Sequence, residues 1–134
     1  MTKSKKNNKN KSKKMPSLDL KPKYTKSVSE PWFTLISLGI KSVEGKLDKG
    51  DFHNMSVGEI VKWTNDDFQP RSILTKIIRK TKYNSFSEYL KSEGMDKCLP
   101  TFKSLDDGVN VYHKYYSKQD EMTFGVIAIC LELA

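Results

Sequence analysis

The sequence predicts an α+β domain. Three observations carry this: side chains alternate with a period of two through residues 42–47 and 71–80; apolar stripes at helical spacing follow the capping serines Ser85 and Ser104; and residues 123–133 (TFGVIAICLEL) form a nearly continuous apolar run rich in branched residues. At 134 residues the chain has room for one core and little else.

In chain order, residues 23–28 are expected as a short strand. A helix follows, with Ser29 as its cap, Pro31 in the first turn where a missing N–H is harmless, Trp32, Leu35 and Ile36 on one face, and Gly39 as its stop. In 42–47, Val43 and Leu47 are expected to face the core while Ser42, Glu44 and Lys46 share the opposite face. After a polar loop over 48–56, residues 57–63 read as a strand supplying Val57, Ile60, Val61 and Trp63, and 65–70 as a turn. Residues 71–80 then alternate Ile73, Thr75 and Ile77 with Ser72, Leu74 and Lys76, the mark of a strand with one wetter face.

Ser85-Phe86-Ser87-Glu88 is a capping box, and Phe86, Tyr89 and Leu90 give the stripe that ends at Gly94. Ser104 to Asp107 repeats the device ahead of Leu105, Val109, Tyr112 and Tyr116. The final apolar run suits a strand buried on both faces at the centre of the sheet. The order strand, helix, three strands, two helices, strand makes about five strands and three flanking helices, in a curled sheet or small barrel.

The net charge of +8 is unevenly placed. Residues 1–26 hold ten lysines and one acid, Asp19, which leaves 14 basic and 15 acidic residues for 27–134. The basicity therefore belongs to the tail. Residues 1–14 contain almost nothing apolar and are expected to be disordered, with 15–26 as a linker and 27–134 as the folded domain. The run KKNNKNKSKK suits a nuclear-import signal, a polycation for nucleic-acid phosphates or a solubilising tail, and charge alone does not choose among them.

Other classes are excluded by what the residues lack. No apolar run approaches the ~18 residues of a membrane span, and the start is too polar for a secretory signal, so no membrane association and an intracellular location, cytoplasmic or nuclear, are expected. Two cysteines (Cys98, Cys130) cannot build a disulfide framework, and with two histidines (His53, His113) at no ligand-like spacing they argue against zinc. Neither metal nor cofactor is expected, and the chain reads as a monomer.

Gly39-Ile40-Lys41-Ser42-Val43-Glu44 matches the pattern G-x-K-x-x-E between a first helix and the next strand. Further landmarks follow in order: Ser29-Glu30-Pro31-Trp32-Phe33, Val57-Gly58-Glu59-Ile60-Val61, Tyr83-Asn84-Ser85-Phe86, Leu99-Pro100, Gly108-Val109 with Val111-Tyr112, Tyr115-Tyr116-Ser117, Glu121, and Gly125 to Ile129. Over about residues 27–134 this series resembles the ASCH (activating signal cointegrator homology) domains. The resemblance implies a PUA-like fold, a small β-barrel with flanking helices and a cleft beside the G-x-K-x-x-E segment. ASCH domains are regarded as RNA-binding or RNA-processing modules, alone or within transcription coactivators, and some bacterial members look like N(4)-acetylcytidine amidohydrolases or ribonucleases. Fold membership does not decide among RNA binding, hydrolysis of a modified nucleoside or RNA, and protein interaction in transcription machinery.

Lys41 follows Gly39 at a helix-to-strand corner, where a cation can meet a phosphate or carbonyl oxygen. It is expected to serve the ligand and to be dispensable for stability, with Glu44 brought near it at the corner. The plainer reading makes Glu44 and Lys46 a surface ion pair worth ~0–1 kcal/mol and Lys41 a solvated residue. For catalysis, Lys41 would stabilise an oxyanion and Glu44 act as a general base. The amidohydrolases of the resembled family have a Thr nucleophile where this chain has Glu44, and no acidic residue lies between Asp67 and Glu88 to supply its partner. The ligand-binding set expected is Lys41, Ser42, Glu44, Lys46, Arg71, Lys76 and Tyr83, supported along one strand and its exit by Arg79, Lys80 and Lys82. Tyr112, Tyr116, Trp32 and Trp63 are expected in the core.

Overall fold

The computed structural model describes residues 20–134. Five strands form one sheet: β1 (Tyr24–Ser27), β2 (Val43–Leu47), β3 (Ile60–Asn65), β4 (Arg71–Tyr83) and β5 (Val126–Leu133), in the order β1-β3-β4-β5-β2. β1 runs parallel to β3, and every other pairing is antiparallel. The expected polar tail falls mostly on residues 1–19, which lie outside the described residues. The expected boundary at residue 27 passes through β1, because Tyr24 to Ser27 pair with Val61 to Thr64 and Lys23 donates its N–H to the Ile60 carbonyl at 2.9 Å.

β4 gives the sheet its curl. It is 13 residues long and serves two partners in turn: Arg71 to Lys76 pair with β3, and Thr75 to Tyr83 pair with β5, with a register shift between Ile77 and Arg79. An extra residue on one strand bends it and raises its twist, so the sheet folds into a half-barrel whose two edges, free among the described residues, are β1 and β2. The strand expected over 71–80 thus continues three residues further. Those last three residues, Thr81-Lys82-Tyr83, carry no apolar alternation that would extend the strand in sequence.

Six helices occur among the described residues, where three were expected: α1 (Trp32–Ser37), α2 (Gly50–Asn54), α3 (Phe86–Glu93), α4 (Met95–Cys98), α5 (Leu105–His113) and α6 (Lys118–Phe124). Serine hydroxyls cap three of them. Ser85 accepts from the Glu88 N–H, Ser104 from that of Asp107, and Ser117 from that of Asp120. The reach-back of Glu88 goes to the Asn84 N–H at 3.0 Å. Ser29 does not cap α1. Glu30 takes that place, accepting from the Thr34 N–H and hydroxyl at 2.9 and 2.7 Å. The final strand begins at Val126 rather than residue 123, since α6 runs to Phe124 and Gly125, at φ 74°, makes the turn between them.

Side chains from both faces of the sheet are buried. Trp63, Val61 and Ile77 are fully enclosed, and Trp63 donates its indole N–H to Thr75 Oγ1 at 2.8 Å. On the flank of β2, α3 lays the Tyr89 ring directly on Gly45, where a Cβ would come within 2.5 Å of Tyr89 Cζ. The small residue lets the helix layer approach the strand. Tyr89 also bonds the Tyr112 hydroxyl at 3.0 Å, and Phe86 stacks on the Tyr112 ring at 4.5 Å, which ties α3 to α5.

Candidate functional site: the unclosed seam of the sheet

The two free edges of the half-barrel face each other across a pocket of about 270 Å³. Ser27, Val28 and Ser29 at the end of β1 form one rim, and Glu44 to Lys46 of β2 form the other. Trp32 of α1 and Tyr112, with Tyr115 and Tyr116 just beyond α5, supply aromatic walls.

Lys41 reaches this site through the way α1 ends. Gly39 takes a left-handed φ of 75°, and the N–H groups of Ile40 and Lys41 both return to the Leu35 carbonyl at 2.9 and 3.0 Å. The chain therefore reverses sharply, and the Lys41 side chain is carried inward. Its ammonium donates to the carbonyl of Val43 at 2.7 Å and to that of Cys98, and meets Glu44 Oε1 at 3.2 Å. Three partners occupy its three hydrogens. The side chain is only 1% exposed, and Glu44's is 7% exposed. Lys41 is thus neither solvated nor available to a ligand's phosphate, which corrects both readings of the corner. A buried ammonium with filled valences positions Glu44, and removing it must cost stability.

Glu44 has one oxygen held by Lys41, while Oε2 lies 3.8 Å from the Lys46 ammonium, beyond hydrogen-bond length. Burial pushes the Glu44 carboxyl up, but the charges of Lys41 and Lys46 outweigh it and leave the group below the usual carboxylate range. Lys46 responds in kind: burial lowers it, Glu44 more than restores it, and the ammonium ends above its ordinary value. Tyr112 is driven well above the ordinary phenol range by burial and by Glu44, so it is a neutral hydroxyl at any working pH. The pocket therefore holds an ionised acceptor, Glu44, with a cation beside it and aromatic walls around it.

The remaining expected ligand residues lie elsewhere. Ser42 faces a shallow depression with Thr75 and Leu131. Arg71 pairs with Glu30 at 2.9 Å, donates to Asn65 Oδ1 at 2.7 Å and lies over the Phe33 ring. Lys76 is exposed on β4, opposite Ile60. The Tyr83 hydroxyl donates to Glu93 at 2.6 Å, and Arg79 forks onto the same carboxylate at 2.6 and 3.0 Å. Lys80 satisfies the carbonyls of Phe52, His53 and Met55 at the end of α2, and Lys82 holds Asp48 and the Phe124 carbonyl. Except for Lys76, the cations of this strand and its exit are spent on internal partners.

The walls were only half legible. Tyr112 and Tyr116 do belong to the core stack on Phe86, at 4.5 and 5.4 Å, and yet each also faces the pocket. Tyr115, off the apolar stripe and 60% exposed, is the one whose position in sequence could have marked it as a site residue. No helix among the described residues is long and apolar enough to cross a membrane.

No protein-family model and no curated protein matches the chain. Among solved structures it is similar to hypothetical protein PH0355, with 30% identity and a TM-score of 0.76 over 83% of this chain and 98% of that one. It is also similar to protein PF0455 from Pyrococcus furiosus, with 28% identity and a TM-score of 0.68 over 82% of this chain and 96% of that one. Protein EF3133 from Enterococcus faecalis V583, family DUF984, shares the fold at 11% identity and a TM-score of 0.56, over 77% of this chain and 66% of that one.

Proposed function

We propose that this chain, which belongs to the same family as hypothetical protein PH0355, is an ASCH-type, PUA-like RNA-binding domain that takes a single unpaired base or modified nucleoside into the seam between β1 and β2. The observation that carries this reading is the ionised Glu44 in an aromatic-walled pocket. Aromatic faces stack on unpaired bases, and a buried carboxylate accepts from the amino and imino N–H groups of a base edge. A volume of about 270 Å³ sits at the small end of ligand pockets, enough for one base-sized group. The body carries no excess of basic residues, so a local pocket suits it better than a duplex-binding face. Phosphate affinity along a strand then falls to the seven lysines of residues 1–14.

Binding is favoured over turnover on two counts. Lys41 has no hydrogen left for an oxyanion, and a carboxylate held below its usual range is a poor general base. The test is a melting-temperature screen against ribonucleosides, N(4)-acetylcytidine and short single-stranded RNAs, repeated with Glu44→Gln, with the ligands checked afterwards by mass spectrometry. At least one nucleoside or RNA should raise the melting temperature, and Glu44→Gln should weaken that response about tenfold. A screen with no response up to about 1 mM removes the reading, and a converted ligand replaces it with a hydrolase.

A further inference from the structure

One side chain lining the pocket keeps an unmet bonding demand. Glu44, its side chain 7% exposed, has Oε1 against the Lys41 ammonium at 3.2 Å, but no side chain among the described residues donates to Oε2. The cation beside that oxygen, Lys46, stands 3.8 Å away, beyond hydrogen-bond length. A buried acceptor left without a donor is costly, so a donor brought by a ligand is gained at full value. Lys46 is itself held loosely: it lies over the Phe52 ring at 5.3 Å and beside the Tyr116 hydroxyl, and its side chain is 18% exposed. Both residues line the pocket together with its aromatic walls. A flat ligand received between those walls thus meets an acceptor next to a donor.

We propose that the pocket selects guanine, whose N1–H and N2–H donate to Glu44 Oε2 while its O6 accepts from the Lys46 ammonium. The assignment rests on the base-binding reading above and names the base. A carboxylate oxygen has two lone pairs and can take both N–H groups. Adjacent atoms of one base edge reach two groups 3.8 Å apart from in front, without entering between them. The other bases match less of this pattern. Adenine and cytosine bring one amino group for Oε2 and a ring nitrogen for Lys46, a single donor group where guanine has two. In uracil the one N–H is flanked by carbonyls, so when one carbonyl meets Lys46 the other turns toward the carboxylate, acceptor against acceptor. Lys41 cannot relieve that clash, because its hydrogens are already placed on Val43, Cys98 and Glu44.

Calorimetric titration of the full chain with guanosine, inosine, N1-methylguanosine, adenosine, cytidine and uridine tests this. Guanosine should bind about tenfold more tightly than adenosine, cytidine or uridine. Inosine keeps N1–H and O6 but lacks the amino group, and should fall between guanosine and the rest. N1-methylguanosine has lost the central donor and should bind no better than adenosine. Glu44→Gln, with its folding checked by circular dichroism, should lose the lead of guanosine over adenosine, since an amide offers one acceptor and one donor, the pattern adenine matches. Any of the other five nucleosides binding as tightly as guanosine overturns the assignment and leaves the base pocket standing, as does a guanosine lead that survives in folded Glu44→Gln. If that variant does not fold, the six nucleosides on the wild type decide. If none of the six binds, the base pocket itself has failed and the assignment falls with it.

Discussion

Replacing Lys41 by Met tests the structure where it departs most from what the sequence suggests. Methionine keeps most of the stem but removes the ammonium, which leaves Glu44 as a buried, unpaired carboxylate and strips a donor from the carbonyls of Val43 and Cys98. Breaking a buried ion pair by removing one partner costs about 3–5 kcal/mol. For a domain of this size that corresponds to a fall of about 12–20 °C in melting temperature. Urea unfolding followed by the fluorescence of Trp32 and Trp63, both buried, measures it directly. The second arm is Lys41→Met/Glu44→Leu, which removes the stranded charge. It should be more stable than Lys41→Met alone, with a coupling energy of about 1.5 kcal/mol or more. A single variant within about 1 kcal/mol of wild type, or a double variant whose cost is the sum of the two singles, refutes the claim that Lys41 acts by holding Glu44.

Acid should weaken the fold in a defined window. Glu93 is held below the usual range chiefly by the Arg79 fork, and Glu44 by Lys41 and Lys46 against its burial. Their contribution is whole above the unfolded value of about 4.3 and fades as pH falls through the lower folded values. The urea midpoint should therefore drop below about pH 4.3, and Glu93→Gln should flatten that drop while lowering stability at pH 7; an unchanged slope in the variant refutes the assignment. Gly45→Ala should cost about 1–3 kcal/mol by forcing the Tyr89 ring off β2, and thermal unfolding at wild-type temperature would show the helix layer can yield. Deleting residues 1–19, which keeps β1 intact, removes seven lysines and should lower the salt slope of single-stranded RNA binding by up to about 5 units, at about 0.7 per phosphate contact. An unchanged slope after the deletion would place the phosphate contacts on the body.

What the sequence disclosed of the fold follows the range of the forces involved. Capping serines at Ser85 and Ser104 act within one turn, and both helices stand where they were expected. The same local signal is present at Ser117-Lys118-Gln119-Asp120 but is masked by the apolar run behind it, so the expected strand takes in Thr123 and Phe124, the last two residues of α6, and leaves the rest of the helix unassigned. α2 and α4 have five and four residues and no apolar stripe of their own; α2 is held by Lys80 from β4, a partner at least 25 residues away in sequence. Residues 81–83, the part of β4 beyond the expected end, include Lys82, whose ammonium finds Asp48 and the Phe124 carbonyl across the fold. Such pairings carry no periodic trace.

The site shows the same limit more sharply. Spacing and motif singled out Lys41, Glu44 and Lys46, and these three do meet. Their division of labour was not legible, because the burial of Lys41 depends on the carbonyl of Cys98, 57 residues on. The pocket itself exists because β4 bends between Ile77 and Arg79 and brings the two free edges of the sheet opposite each other. No residue at the bend lines the pocket. A ligand entering the seam therefore finds Lys41 already committed and has Glu44 Oε2 and the loosely held Lys46 to bond with. It follows that substitutions at Lys41 should change how much folded protein there is, whereas those at Glu44 and Lys46 should change what the folded protein selects.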